Sequence, residues 1–200
     1  MSSSKLLKFI FIATSLVHQT FSAEADLAPV FALGDIVAIQ HATGGGSFFW
    51  QDPDGSIRED CNEGQPISGA LNTCGPTGKV IVPSGEALYG TPLAAAGFYN
   101  NDNGLFFERH LYYISPNFTL SEWVLTNTGT FLGANCTQCV HQNGFQVLPQ
   151  SQALYAIGNS PAATGSAVLR VGFVSPSTPN GISEANMNSA RQWSISTLRN

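Results

Sequence analysis

The residues able to do chemistry are few and dispersed. Glu59, Glu86, Asp102, Glu108 and Glu122 are the candidate carboxylates for acid–base work, and glycoside hydrolysis needs two such groups facing each other across a cleft. Nothing in their spacing pairs them. Glu108 stands out within Phe106-Phe-Glu-Arg-His110, where desolvation by aromatic neighbours would raise its pKa. The plainer alternatives are an ion pair with Arg109 or a solvent-facing place on an alternating strand. None of His41, His110 and His141 adjoins a Ser or Cys in a nucleophile context, and Gly-x-Ser-x-Gly is absent. Asp52-Pro-Asp-Gly-Ser, followed by Glu59 and Asp60, has the carboxylates of a calcium loop, but its glycine arrives too early. Gly75-Pro-Thr-Gly-Lys79 lacks the first glycine and the Ser/Thr of a phosphate loop. The chain therefore reads as a protein without catalytic residues, metal or cofactor.

Cysteine and asparagine carry clearer signals. Cys61, Cys74, Cys136 and Cys139 form an even set, which in an oxidising compartment reads as two disulfides. Of three pairings, Cys61–Cys74 and Cys136–Cys139 are preferred, because they close a Gly/Pro-rich loop and a very short one. Cys136-Thr-Gln-Cys139 also has the spacing of a redox site or half a zinc site, but no helical pattern follows it and no fourth ligand stands nearby. Asn117-Phe-Thr and Asn135-Cys-Thr are N-glycosylation acceptors. Among the aromatics, Phe49, Tyr99 and Tyr113 are candidates to stack on sugar rings, with polar neighbours to fix orientation.

Compartment and partners follow from the termini and the charge. Lys5 and Lys8 precede an apolar run from Leu6 to Val17 and then small residues, the order of a secretory signal. Residues 1–23 are read as the signal peptide, cleaved between 22 and 25, and 24–200 as a single β-domain. The apolar run is shorter than the ~20 residues that span a bilayer, so no membrane association is expected after cleavage. Thirteen acids stand against eight Lys and Arg, and Lys79 is the one lysine after Lys8. Without a basic stripe, a nucleic-acid partner is disfavoured.

The elements that must position these residues read as strands. Runs at 35–41, 47–51, 79–82, 105–114, 123–126, 130–132, 144–148, 153–157, 167–174 and 192–196 are β-branched or aromatic and lie between Gly, Pro, Asn and Ser clusters. Asp52-Pro-Asp-Gly55 is a turn by composition, with Trp50 and Ile57 flanking a hairpin. Trp50, Gly55, Ile57 and Cys61 align with Trp123, Gly129, Phe131 and Cys136, and 82–89 aligns with 148–155. Ile114-Ser-Pro and Val174-Ser-Pro close the respective runs, and a third tryptophan follows at 193. This implies a tandem duplication of about seventy residues, with repeats 50–122 and 123–192, folded as an all-β compact barrel or trefoil-like body.

Glu122-Trp-Val-Leu-Thr-Asn-Thr-Gly-Thr-Phe-Leu, then Cys136 and Phe145-Gln-Val-Leu, resembles the Trp-centred core of fungal PhiA-type secreted cell-wall proteins. Asp35-Ile-Val-Ala-Ile-Gln-His41 and Val80-Ile-Val-Pro-Ser-Gly are similarly placed. The resemblance implies a secreted, non-catalytic wall glycoprotein that contacts wall polysaccharide or wall proteins and supports wall or spore development. This chain departs from the family pattern in having Cys139 directly after Cys136 and no later cysteines. A secreted effector or inhibitor acting on a host or competitor is the alternative, and a hydrolase with an unrecognised carboxylate pair the second.

Overall fold

The computed structural model describes residues 32–40, 44–62, 79–99, 106–126, 131–158 and 168–199. Their strands form three four-stranded antiparallel sheets, each meandering in chain order. The first contains β1 (Ile36–Gln40), β2 (Gly46–Gln51), β3 (Ile57–Asn62) and β4 (Lys79–Val82). The second contains β5 (Ala94–Tyr99), β6 (Phe106–Ile114), β7 (Leu120–Thr126) and β8 (Phe131–Leu132). The third contains β9 (Leu154–Gly158), β10 (Leu169–Phe173), β11 (Ser183–Met187) and β12 (Trp193–Thr197). Among the described residues the one helical element is a 3₁₀ turn, Val140–Asn143, and no helix is long and apolar enough to cross a membrane.

Local chemistry sets the hairpins. In Asp52–Ser56, Gly55 takes φ 84°, the Gly55 N–H bonds the Asp52 carbonyl at 2.8 Å, and Asp54 Oδ1 accepts the Ser56 N–H at 2.8 Å. A positive φ costs glycine nothing, so β2 turns directly into β3. The β6–β7 hairpin closes through Ser115 and Thr119, with Phe118 at φ 58°.

The sheets stack face to face, and alternation along each strand gives every inner sheet face a partner. Ile39, Phe49, Ile57 and Val82 of the first sheet pack against Leu111 and Tyr113 of the second. Tyr112, Ile114 and Leu120 on the second sheet's other face pack against Leu169, Val171, Phe173 and Ala185 of the third. Each such side chain contributes about 1.5–3 kcal/mol when fully buried. The sheets come closest at their first strands, where a Cβ at Gly158 would lie 2.7 Å from the Gly97 carbonyl oxygen. Gln51 ties the first hairpin to the link leading into the second sheet: its amide donates to the Gly55 and Leu88 carbonyls, both at 3.0 Å, and accepts from the Gly90 N–H at 2.7 Å.

The all-β reading holds, but these strands form three stacked sheets rather than one closed barrel. The repeat has a different phase from the one the tryptophans suggest. Trp50 lies on β2, Trp123 on β7 and Trp193 on β12, the second, third and fourth strands of their sheets. The Ile114-Ser-Pro and Val174-Ser-Pro match does fall at equivalent places, since the Leu88 and Leu148 N–H groups bond the Ile114 and Val174 carbonyls respectively. Leu88 is thus the counterpart of Leu148, six residues from the alignment of 82–89 with 148–155. Residues 144–148, expected as a strand, contribute only an isolated bridge between Gln146 and Thr119.

Candidate functional site

Register makes one position in each sheet equivalent. Glu59 on β3 faces Phe49, Glu122 on β7 faces Tyr112, and Glu184 on β11 faces Gly172. Two residues earlier on the second strand, diagonal to the acid, stand Ser47, His110 and Arg170. Each sheet therefore carries a glutamate and a diagonal polar partner on the same face, repeating at about sixty residues.

The first two pairs are sealed between sheets. Glu59 is buried and accepts from Arg109 of the second sheet at 2.6 Å, while the same guanidinium nitrogen bonds Ser47. Burial pushes the Glu59 carboxyl up, and Arg109 opposes that rise. His110 is buried between two acids, with Nδ1 2.6 Å from Glu122 and Nε2 3.2 Å from Glu108. Both ring nitrogens face carboxylates, so both donate and the ring is an imidazolium. Burial alone would lower the His110 pKa; the bonds to Glu108 and Glu122 outweigh it and raise it. The Val140 N–H at the 3₁₀ turn donates to Glu122 at 2.8 Å, and Arg191, from the turn between β11 and β12, bonds Glu108. Burial would raise Glu108, yet His110 and Arg191 hold it at about 2.

This corrects the expectation for Glu108. Its cation is Arg191 rather than Arg109, and its pKa falls where desolvation alone would have raised it. Glu108 and Glu122 do come together, but around a buried imidazolium and not across an open cleft. Glu86 lies apart, on a cleft of about 650 Å³ shared with Tyr113, Asn117 and His141.

The third pair is open. Arg170 donates Nε and Nη2 to Glu184 Oε2 at 3.0 and 2.8 Å, and the Tyr155 hydroxyl donates to Oε1 at 2.7 Å. Glu184 is 3% exposed at its side chain, whereas Arg170 is 42% exposed. Tyr155 fits because residue 172 is glycine: a Cβ there would stand 2.0 Å from the Tyr155 ring. The glutamate bond raises the Arg170 pKa, and burial followed by that bond pushes the Tyr155 hydroxyl to about 12. Asn186, bonded to Ser196 at 3.1 Å, and exposed Ile157 share this face. The Arg170 N–H groups not given to Glu184 have no hydrogen-bond partner among the described residues. The face thus presents fixed donors, a fixed acceptor and an apolar neighbour, a pattern suited to a polyhydroxylated ligand.

Phe49 is buried in the core between the first two sheets, and Tyr113 is buried at the rim of the Glu86 cleft. Neither offers a free face for stacking, because alternation turns both toward a neighbouring sheet. The Tyr99 side chain, Cys74, His41 and Asp102 lie outside the described residues. Cys136 and Cys139 form a disulfide with Cα atoms 5.4 Å apart, so neither sulfur is a free thiolate; Cys61 is also disulfide-bonded. Asn117 and Asn135 are both exposed. Arg170, Glu184 and Tyr155 escaped sequence reasoning. The available signal was the recurring Glu in Ile57-Arg-Glu59, Leu120-Ser-Glu122 and Ile182-Ser-Glu184.

No family model matches the sequence, and no curated protein is significantly similar to it. Solved structures are. AofleA from Arthrobotrys oligospora is 24% identical with a TM-score of 0.64, over 86% of this chain and 44% of that one. It has also been solved with three arginines replaced by alanine. The Aleuria aurantia lectin, described as a six-bladed β-propeller with a novel fucose recognition mode, is 20% identical with a TM-score of 0.59, over 84% of this chain and 48% of that one. A fucose lectin from Kordia zhangzhouensis, solved with methyl-fucoside, is 12% identical with a TM-score of 0.56, over 83% of this chain and 100% of that one. The likeness shows the fold: the three sheets correspond to propeller blades. The chain spans about half the length of the two fungal structures.

Proposed function

We propose that this chain is a non-catalytic glycan-binding protein that recognises a fucose-type sugar through Arg170, Glu184 and Tyr155. The observation that carries the reading is the open guanidinium–carboxylate pair on the third sheet. A carboxylate that is nearly buried yet adjoins an exposed guanidinium offers an acceptor and donors in fixed geometry to neighbouring sugar hydroxyls. Ile157 on the same face suits the methyl group of a 6-deoxy sugar. Lectins among the similar folds, whose descriptions name fucose, support the same ligand class.

The proposal includes the compartment and the role. A signal-like N-terminus, sequons at exposed Asn117 and Asn135, and the resemblance to PhiA-type proteins support a secreted glycoprotein of the wall or cell surface. Wall polysaccharide or wall proteins are then the partners.

The test is calorimetric titration of the purified chain with methyl α-L-fucoside. Binding is expected in the wild type, Arg170→Ala should weaken it at least tenfold, and Glu108→Gln should leave it within about twofold. Absence of binding at millimolar fucoside, or an Arg170→Ala variant with undiminished affinity, would sink the assignment.

A further inference from the structure

Equivalent positions in the three sheets meet unequal surroundings, and the contrast is plain on the two outward faces. Ile57 and Leu120, which adjoin Glu59 and Glu122, are both 0% exposed between sheets. Their counterpart Ile182, beside Glu184, is 40% exposed. Ile157 and Leu198 are exposed on the same face. The first sheet shows the converse on its outer face. Ile36, opposite Trp50, is 56% exposed, while its counterpart Leu93 in the second sheet is 4% exposed. Val80, on the same face at the opposite edge of that sheet, is also exposed. Among the described residues, two apolar faces of the kinds that mate at both inner junctions are thus left without mates, one at each end of the stack.

We propose that a second copy of this chain covers them. The first sheet of each copy packs on the third sheet of the other about a two-fold axis, closing a ring of six sheets. The contact repeats the junctions already present within one chain, and such a reciprocal pair of contacts closes without leaving an open face. Six sheets is also the number described for the Aleuria lectin, of which this chain covers 48%. The Kordia chain, matched over its whole length by 83% of this one, is a fucose lectin built on a chain no longer than the matched part.

The ring also completes the Arg170–Glu184 site, a step that rests on the glycan-binding reading above. At the inner junctions the residue preceding the diagonal partner on the next sheet fills the space. Arg109 enters the Ser47–Glu59 site, and Leu169 packs with Ala96 and Tyr112. The equivalent residue of the first sheet is Gly46, beside a hollow of about 180 Å³ lined by Ala38, Gln40, Phe48 and Asn62. A second copy would therefore wall the Arg170–Glu184 face and leave room opposite it for a sugar. The two other pairs are plugged, which gives two sites per ring.

The experiment is light-scattering mass measurement on the purified chain, paired with methyl α-L-fucoside titration, for the wild type, Ile182→Asp and Ile36→Asp. The wild type should run at twice the chain mass. Each variant should fall to the monomer and lose at least tenfold in fucoside affinity. Either variant alone breaks the contact, so one that keeps the wild-type circular dichroism suffices; if neither folds, the wild-type mass decides. A monomeric wild type at tens of micromolar, or a folded variant that stays dimeric, overturns the ring. A monomeric variant that binds fucoside as tightly as the wild type overturns completion of the site by the second copy. A dimeric wild type that binds no fucoside refutes the glycan reading and leaves the ring standing.

Discussion

Replacing His110 by Gln tests whether the junction between the second and third sheets is held by a buried charge. The imidazolium lies 2.6 Å from Glu122 and 3.2 Å from Glu108, and all three side chains are buried. Glutamine keeps a hydrogen-bond donor but removes the positive charge. Glu108 retains Arg191, so the loss falls mainly on Glu122, whose other partner is the Val140 N–H. Breaking a buried pair by removing one partner costs about 3–5 kcal/mol, and the retained bonds point to the lower end, about 3 kcal/mol. With a urea slope of about 2 kcal/mol/M, the unfolding midpoint should drop by about 1.5 M. The pH dependence carries a sign. His110 is raised above its ordinary 6.5, so the stability it confers is full below that value and declines as pH rises through the folded-state pKa. Glu108 is held at about 2, so its share is full above 4.5 and lost as pH falls toward 2. The gap between wild type and His110→Gln should therefore be widest between about pH 4.5 and 6.5. Urea melts at pH 5.5 and at steps up to pH 9, with the disulfides intact, measure it. A gap below about 1 kcal/mol at pH 5.5, or one that widens steadily with pH, would refute the charged-histidine account.

Gly158→Ala places a methyl 2.7 Å from the Gly97 carbonyl oxygen, a backbone atom that cannot rotate away, so the second and third sheets must separate at their first strands. A loss of about 1–3 kcal/mol in chemical denaturation is expected, and a neutral result would show that the sheets are not seated there. Gln51→Leu leaves the Gly55 and Leu88 carbonyls and the Gly90 N–H without their side-chain partner. It should lower stability by about 2–4 kcal/mol in the same assay, whereas a cost below about 0.5 kcal/mol would mean that water replaces the amide at no penalty.

Strands were legible where their composition is β-like and obscure where another constraint chose the residues. β6, with Leu111-Tyr-Tyr-Ile114, is evident from sequence, and so are β2 and β10. Beyond Ile57 as a hairpin flank, β3 (Ile-Arg-Glu-Asp-Cys-Asn) and β11 (Ser-Glu-Ala-Asn-Met) have no strand-like run, because they carry the repeated glutamate and its polar surroundings. β5 begins Ala-Ala-Ala-Gly because its neighbours approach closely, so it lacks the bulky residues that mark a strand. With one strand lost from each sheet, the tryptophans align across non-equivalent strands and two repeats suffice, where the described residues form three sheets. The site shared that fate. Arg170 and Glu184, fourteen residues apart, meet only through the β10–β11 register, and Glu108 could not be matched to Arg191 before the third sheet was placed against the second.

The three glutamates show how one scaffold position comes to serve different ends. A carboxylate in a sheet-to-sheet junction must be given positive charge or donors, because leaving it unpaired costs far more than the packing gains. The diagonal residue decides where that charge comes from. Ser47 is neutral and short, so the cation is imported: Arg109 reaches across from the second sheet and occupies the space. His110 is charged but fully enclosed, and it spends both ring nitrogens on Glu122 and Glu108, leaving no donor for a ligand. Arg170 alone supplies more N–H groups than Glu184 accepts, and with Gly172 making room for Tyr155 it does so without a bulky side chain above the acid. Unequal partners at equivalent positions thus turn two junctions into fixed ion pairs and leave the third with unused donors. Converting the first junction should follow the same rule: Ser47→Arg with Arg109→Leu moves the cation onto the diagonal position and should preserve the Glu59 pairing. Arg109→Leu alone leaves Glu59 with the Ser47 hydroxyl but without its bonded guanidinium and should cost roughly 3 kcal/mol, recovered in the double variant.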